Sequence, residues 1–259
     1  MVVGGQVDAP GTPSLGVVVP TLNEARLLPG LLKRLLGSPG EGALGTGPLG
    51  PSPADDRAQR VVVADGGSAD GTGELARAAG ATVVVSAPGR GGQLAAGAAA
   101  LETELLLFLH ADCLPDPGAL AAVRRALGEA HVGRCAMVQR IEAPGWHYRA
   151  VERSAARRAR RGVVYGDCGL ALRRSIYQGV GGFADLPIFE DLDLARRLEA
   201  WPGAGRMVLV EDAILRLSPR RWQREGFLRC TLRNWALTRA WRMGLAPRRL
   251  ARLYRPHGI

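Results

Sequence analysis

Four short polar stretches in this chain combine residue types that hold phosphates, sugars and cations, and each borders an apolar or helical run. Pro20-Thr21-Leu22-Asn23-Glu24 follows the apolar residues 15–19, Asp65-Gly66-Gly67-Ser68-Ala69-Asp70-Gly71-Thr72 follows 61–64, and His110-Ala111-Asp112 follows 105–109. Gly89-Arg90-Gly91-Gly92-Gln93 opens a helical pattern. Asp65 is suited to accept hydrogen bonds from a base or ribose, with Gly66 and Gly67 allowing close approach. Asp112, after a run that excludes water, suits a carboxylate holding a hard divalent cation bound to phosphates. Arg90 and the amides around it suit a diphosphate. Each also has a plain reading: a helix cap for Asp65, an Asx turn before Pro115 for Asp112, a simple turn around Arg90, and a turn with a dipole-favoured acid for Pro20 to Glu24.

Those stretches need a scaffold that brings them to one edge. Residues 15–19 read as a buried strand, and 24–36 as a helix with Leu27, Leu28, Leu31, Leu32, Leu35 and Leu36 on one face. Residues 61–64, 82–85 and 105–109 read as further strands, separated by helices over 69–79, capped by Ser68, and over 93–101. This alternation implies an α/β fold with a mostly parallel, Rossmann-like sheet, in which ligands bind beyond the carboxyl ends of the strands. The later part mixes its elements: strands at 135–141, 169–173 and 207–215, with helices at 146–161 and 192–200. Residues 37–57 hold six glycines and four prolines without apolar periodicity, and are expected to form a disordered surface insertion.

The chain has 259 residues, enough for one sizeable domain, and 47% hydrophobic with 22% charged residues is ordinary globular composition. Mean hydropathy is +0.01, and the apolar run near residue 100 is broken by Glu102 and Glu104, so no stretch reaches the about 18 uninterrupted apolar residues of a spanning helix. The first fourteen residues do not read as a secretory signal. Cys113, Cys135, Cys168 and Cys230 form no close pair, which excludes a zinc ribbon or redox CxxC and points to reduced thiols and a cytoplasmic location. Basic residues outnumber acidic ones 34 to 24, for a net charge of +10, and Lys33 is the single lysine. An arginine-rich surface of this kind expects anionic partners: phosphates, nucleotide diphosphates, acidic lipid headgroups or nucleic acid.

Taken in order, Val-Pro-Thr-Leu-Asn-Glu, Asp-Gly-Gly-Ser-Ala-Asp-Gly-Thr, Gly-Arg-Gly-Gly-Gln, Leu-His-Ala-Asp, the Gly181-Gly182-Phe183 segment and Glu190-Asp191-Leu192-Asp193-Leu194 resemble the family two glycosyltransferases of the GT-A fold, over residues 15 to 255. The similarity is closest to the small soluble subgroup described as radical-SAM/selenodomain-associated transferases, through a Tyr-Gly-Asp-x-Gly segment at 165–169 and an Arg-Arg-Trp segment at 220–222. The resemblance implies a single domain over 1–259, divided into a nucleotide-binding half (15–112), an acceptor half (113–217) and a C-terminal helical segment (218–259). It implies that Pro20, Glu24 and Asp65 hold the base and ribose of a nucleotide-diphosphate sugar, and that Arg90, Arg221 and Trp222 border its diphosphate. Asp167 is implied to bind the donor or acceptor sugar. Asp112 matches the last acid of the family's DxD metal motif, while His110 stands where its first acid lies; imidazole ligates without adding negative charge, which favours Mn2+ relative to Mg2+. Asp191, with Glu190 beside it, matches the family's catalytic base. The activity implied is inverting, metal-assisted transfer of a sugar to an acceptor hydroxyl, with no nucleic-acid partner.

Two basic helices stand outside that account. Arg149, Arg153, Arg157 and Arg160 recur at helical spacing, and from position 220 to 255 eleven arginines face one acid, Glu225, with Trp222, Phe227, Trp235 and Trp241 among them. The tail can pack on the core or lie on an anionic membrane at its inner face. The competing reading of the whole chain is therefore an arginine-rich membrane-surface or nucleic-acid-binding protein that keeps the fold without transferase activity.

Overall fold

A computed structural model describes residues 12–37 and 55–253. The chain opens with β1 (Leu15–Thr21), α1 (Leu28–Leu36), β2 (Arg60–Asp65), α2 (Thr72–Ala78), β3 (Thr82–Val85), α3 (Arg90–Ala99) and β4 (Leu105–Phe108). It continues with β5 (Cys113–Pro115), α4 (Ala119–Gly128), β6 (Val132–Ile141), α5 (Trp146–Arg160), β7 (Leu170–Arg173), α6 (Arg174–Gly179), α7 (Glu190–Ala200) and β8 (Arg206–Leu217), and ends with α8 (Arg220–Glu225), α9 (Phe227–Arg242) and α10 (Pro247–Ala251).

One sheet carries the strands in the order β3-β2-β1-β4-β7-β6-β8-β5. β3, β2, β1 and β4 are parallel, whereas β7 runs antiparallel to β4 and β6, and β5 antiparallel to β8. The parallel half is as the β-branched runs imply, and the mixing begins where the sequence stops repeating. Along β1 the side chains alternate between two cores: Val17 and Val19 pack with the α1 leucines and α4, and Val18 with Leu94, Leu106 and Leu172. Burial on both faces is why these strands read as continuous apolar runs.

Several boundaries differ from the sequence reading, for local reasons. α1 starts four residues later than the expected 24, because the Leu27 and Leu28 amides close a turn on the Glu24 carbonyl and Pro29 fits the first helical turn. α2 starts at Thr72, not 69, and Ser68 does not cap it: the Ser68 hydroxyl accepts the Asn23 amide and donates to Asp65, while Gly71 occupies the cap position. Cys113–Pro115, Ala119–Gly128 and Arg174–Gly179 have no counterpart in the sequence reading; the first and last are too short to show a period, and the alanines of α4 mark no face. Of the insertion expected over 37–57, residues 38–54 lie outside the described residues. Within its far end, Asp56 pairs with Arg34 at 2.5 Å and accepts the Gly118, Leu120 and Ala121 amides, so its carboxylate holds the start of α4.

Candidate active site

The carboxyl ends of β1 and β2 are stitched together by their own loops. Asp65, 5% exposed, accepts the Thr21 hydroxyl at 3.1 Å and both the amide and the hydroxyl of Ser68. Asn23, at a positive φ of 56°, donates its amide to Ser68 and accepts the Ala69 amide on its side chain. The Glu24 amide reaches the Thr72 hydroxyl, and Asp70 accepts the Ala25 amide together with the amide and hydroxyl of Thr72. Desolvation raises the Asp70 carboxyl, and these hydrogen bonds outweigh it and hold the group below its ordinary value. Three of the four lone-pair sites on Asp65 are therefore taken within the chain, which leaves one for a ligand. Asp65 thus organises the turn and does not cap α2, whose cap position is held by Gly71.

Beyond this edge lies a cavity of about 310 Å³. Arg90, His110, Asp112, Asp191, Arg221 and Trp222 all line it, although 132 positions separate the first from the last. Pro20, Glu24, Asp65 and Glu190 do not line it. Pro20 is buried within β1. The side chain of Asp167, in the turn Gly166–Cys168, lies outside the described residues.

Asp191 is fixed on both oxygens: Oδ2 accepts the Gly166 amide at 2.7 Å and Oδ1 the Leu192 amide at 2.7 Å. Gly166 lets the two side chains approach, because a Cβ there would lie 2.8 Å from His110 Nε2, which would have to shift, and 3.5 Å from Asp191 Oδ2. The imidazole and the carboxylate thus face each other across a bare backbone. Phe189 immediately before α7 sits at a positive φ of 66°, a conformation that bulky residues adopt only under constraint.

Glu190 takes a different part from its neighbour. It is 1% exposed, and one oxygen pairs with Arg90 Nε at 3.0 Å while the other is buried without a hydrogen-bond partner among the described residues. Desolvation pushes its carboxyl up, the Asp191 charge adds to this, and Arg90 opposes it. Glu190 therefore pairs with Arg90 behind the cavity wall, while Asp191 faces the cavity. The first turn of α3 is pressed against the backbone of 184–186, where a Cβ on Gly91 would run into the Ala184 carbonyl.

Sequence reasoning also missed Arg220. Its guanidinium grips both oxygens of Glu24, at 2.8 and 2.5 Å, and lies 3.5 Å from Asp112 Oδ2, from 196 positions away in the chain. The Glu24 hydrogen bonds, against burial, push its pKa up. No local pattern announces this pairing; an arginine beside Arg221-Trp222 is its only sequence signal. Arg221 pairs with Glu225 at 3.7 Å, and Trp222 packs on Tyr148 and Phe227. Tyr165, under the Arg158 guanidinium at 4.3 Å, and Thr231 and Asn234 of α9 complete the walls. Thr231 Oγ1 and Asn234 Oδ1 are buried without partners among the described residues. The expected cationic face of α5 is partly spent on structure, since Arg149 donates to the Ile141 and Ala143 carbonyls and Arg160 pairs with Glu211. All four cysteines are buried, and none is in a disulfide among the described residues.

A cation fits this donor set in one way. Among the described residues no three His, Cys, Asp or Glu side chains form a ligand cluster. Asp112 offers one carboxylate, shared with Arg220, and His110 one imidazole in the same cavity. One or two protein ligands completed by substrate phosphates is how Mg2+ is commonly held, so the residues suit a cation that arrives with a diphosphate.

The family model described as Glycosyl transferase family 2 matches residues 16–181. Among solved structures, a mannosyltransferase from Pyrobaculum calidifontis in complex with GDP-Man and Mn2+ is similar with a TM-score of 0.59 and 21% identity, over 91% of this chain and 66% of that one. Glucosyl-3-phosphoglycerate synthase from Mycobacterium tuberculosis with Mg2+ and UDP is similar with a TM-score of 0.55 and 19% identity, over 80% of this chain and 70% of that one. The same synthase with Mn2+, UDP-glucose and phosphoglyceric acid gives a TM-score of 0.53 and 20% identity, over 78% and 71%. At these identities the likeness is one of fold, and the chain spans about two thirds of the mannosyltransferase's length. Among curated protein sequences none matches.

Proposed function

Because this chain belongs to glycosyltransferase family 2, we propose that it transfers a sugar from a nucleotide-diphosphate sugar to an acceptor hydroxyl with inversion at the anomeric carbon. The observation that carries the reading is the convergence of Asp191, His110, Asp112, Arg90 and Arg221 on one cavity. The stitched β1–β2 edge is the base and ribose end, with Pro20, Glu24 and the remaining acceptor of Asp65. Arg90, steered by Glu190, and Arg221 meet the diphosphate, Trp222 flanks it, and Asp167 serves the sugar.

Asp191 is the general base. Its two backbone hydrogen bonds fix the carboxylate and leave lone pairs toward the cavity. It takes the proton of the acceptor hydroxyl as that oxygen bonds to the anomeric carbon, on the face opposite the leaving group. The bond from the anomeric carbon to the phosphate oxygen breaks, and its electron pair leaves with the diphosphate toward Arg90 and Arg221. A divalent cation, Mn2+ or Mg2+, held by Asp112 and His110 with the phosphates, would supply further charge to that leaving group. Thr231 and Asn234 line the side of the cavity left for the acceptor. The four buried thiols outside any disulfide suit a reducing compartment, and the reading includes a cytoplasmic location.

The test is thermal stability against a panel of nucleotides and nucleotide-sugars, each with and without Mn2+. Binding to the folded state raises Tm, by about 2.7 kcal/mol of stability at a hundredfold excess over Kd. A selective, cation-dependent rise identifies the donor base. No rise with any nucleotide sinks the transferase reading.

A further inference from the structure

α9 has two different sides. Its inner side presents Cys230, Asn234 and Leu237 to the cavity, while Leu228, Leu232 and Trp235 follow the i, i+4, i+7 spacing of a single outer stripe, continued by Arg239 and Met243. The apolar members of that stripe are 63–72% exposed, so among the described residues they lie mostly in solvent. At the start of α9 the Phe227 ring meets His147 at 4.5 Å, which brings Trp146, 79% exposed, to the same end as Leu228. Arg224, Arg229, Arg239 and Arg242, with Arg248, Arg249 and Arg252 beyond, are exposed and in no ion pair among the described residues. The one acid of this segment, Glu225, is taken by Arg221 and Arg233.

From this combination we infer that the outer face of α9 rests on an anionic lipid surface. Arginines alone would fit any polyanion, but a nucleic acid would leave Leu228, Leu232 and Trp235 in water. A bilayer interface accepts both classes: leucines enter the acyl boundary, tryptophans sit at headgroup depth, and arginines reach lipid phosphates with their stems along the apolar layer. The helix lies on the surface and does not cross it, since no helix among the described residues is long and apolar enough to span a membrane. Its inner side being a cavity wall, α9 joins the proposed active site to that surface. The docking does not depend on the transferase reading.

The full chain is floated with phosphatidylcholine vesicles, with and without phosphatidylglycerol. The bound fraction is expected to rise about tenfold with the anionic lipid and to fall again with added salt, as screening shortens the attraction. The triple variant L228E/L232E/W235E is expected to lose at least about tenfold of that binding. Its unchanged melting temperature, and an unchanged response to nucleotide-sugar, would show the loss to be local. Equal binding to neutral and anionic vesicles, no flotation at all, or duplex DNA binding that survives the triple substitution would each overturn the inference. Flotation without any nucleotide response would sink the transferase reading and leave the docking standing.

Discussion

The β1–β2 edge and the α9 wall both carry polar side chains, yet they treat them in opposite ways. At the edge, Asp65 and Asp70 each accept three hydrogen bonds from their own loops. At the wall, Thr231 Oγ1 and Asn234 Oδ1 are buried without partners among the described residues. A polar atom left unsatisfied in a folded chain costs stability. The edge thus satisfies its groups almost fully within the chain, with Asp65 keeping one acceptor, whereas the wall leaves these two oxygens unsatisfied among the described residues. Between them stands Arg220, which ties Glu24 to Asp112 and so links the two regions.

The largest expected effect falls on the chemistry between the regions. Asp191→Asn keeps the shape of the side chain, retains an acceptor for one of the two backbone amides and cannot take a proton, and transfer should fall about 10²–10⁴-fold while the nucleotide-induced Tm rise is unchanged. Transfer at the parent rate would remove Asp191 as the base. Next comes the contrast itself, read as a pair of unfolding free energies. Asp65→Ala leaves the buried Thr21 and half-buried Ser68 donors unpaired and should cost about 2 kcal/mol, whereas Thr231→Val removes an atom that already lacks a partner among the described residues and should be neutral or stabilising by up to about 1 kcal/mol. Equal losses from the two would break the comparison.

Arg220→Ala should cost about 1 kcal/mol, discounted for its partial exposure. It should also make Mn2+, added without nucleotide, raise Tm more than in the parent, because Glu24 and Asp112 lose their cation. An identical Mn2+ response would mean that the guanidinium does not compete with the metal. The smallest effect concerns Glu190, whose carboxyl is raised in the fold above its ordinary 4.5. Between 4.5 and the raised value the folded chain binds more protons than the unfolded one, so this group's contribution is largest below pH 4.5 and declines as pH rises through the folded pKa. Glu190→Gln should flatten that slope in urea titrations across the interval, and a slope unchanged by the substitution would contradict the assignment.

Regular alternation made the first half of the fold legible. Residues 82–85 read as a strand and form one with the same limits, and the apolar runs behind Pro20, Asp65 and His110 are central strands, because burial on both faces leaves no polar position to obscure them. The order of polar loops after those strands likewise pointed to the family. Less was legible at the ends of helices: Ser68 looked like a cap from its position, but the Asn23 amide claims its hydroxyl from a loop 45 positions away.

Local periodicity, then, determined the fold class and the edge beyond which the cavity lies, and the family resemblance pointed to Asp191, Asp112 and Arg90, which line that cavity. Tertiary structure alone decided that Glu190 serves Arg90, that Arg220 closes on Glu24 and Asp112, and that α9 turns Thr231 and Asn234 inward with Leu228, Leu232 and Trp235 outward. The reason is physical. Periodicity records which face of an element avoids water, whereas a salt bridge between residues 196 positions apart depends on where the sheet order and the C-terminal helices bring two side chains, and no neighbour in sequence encodes that.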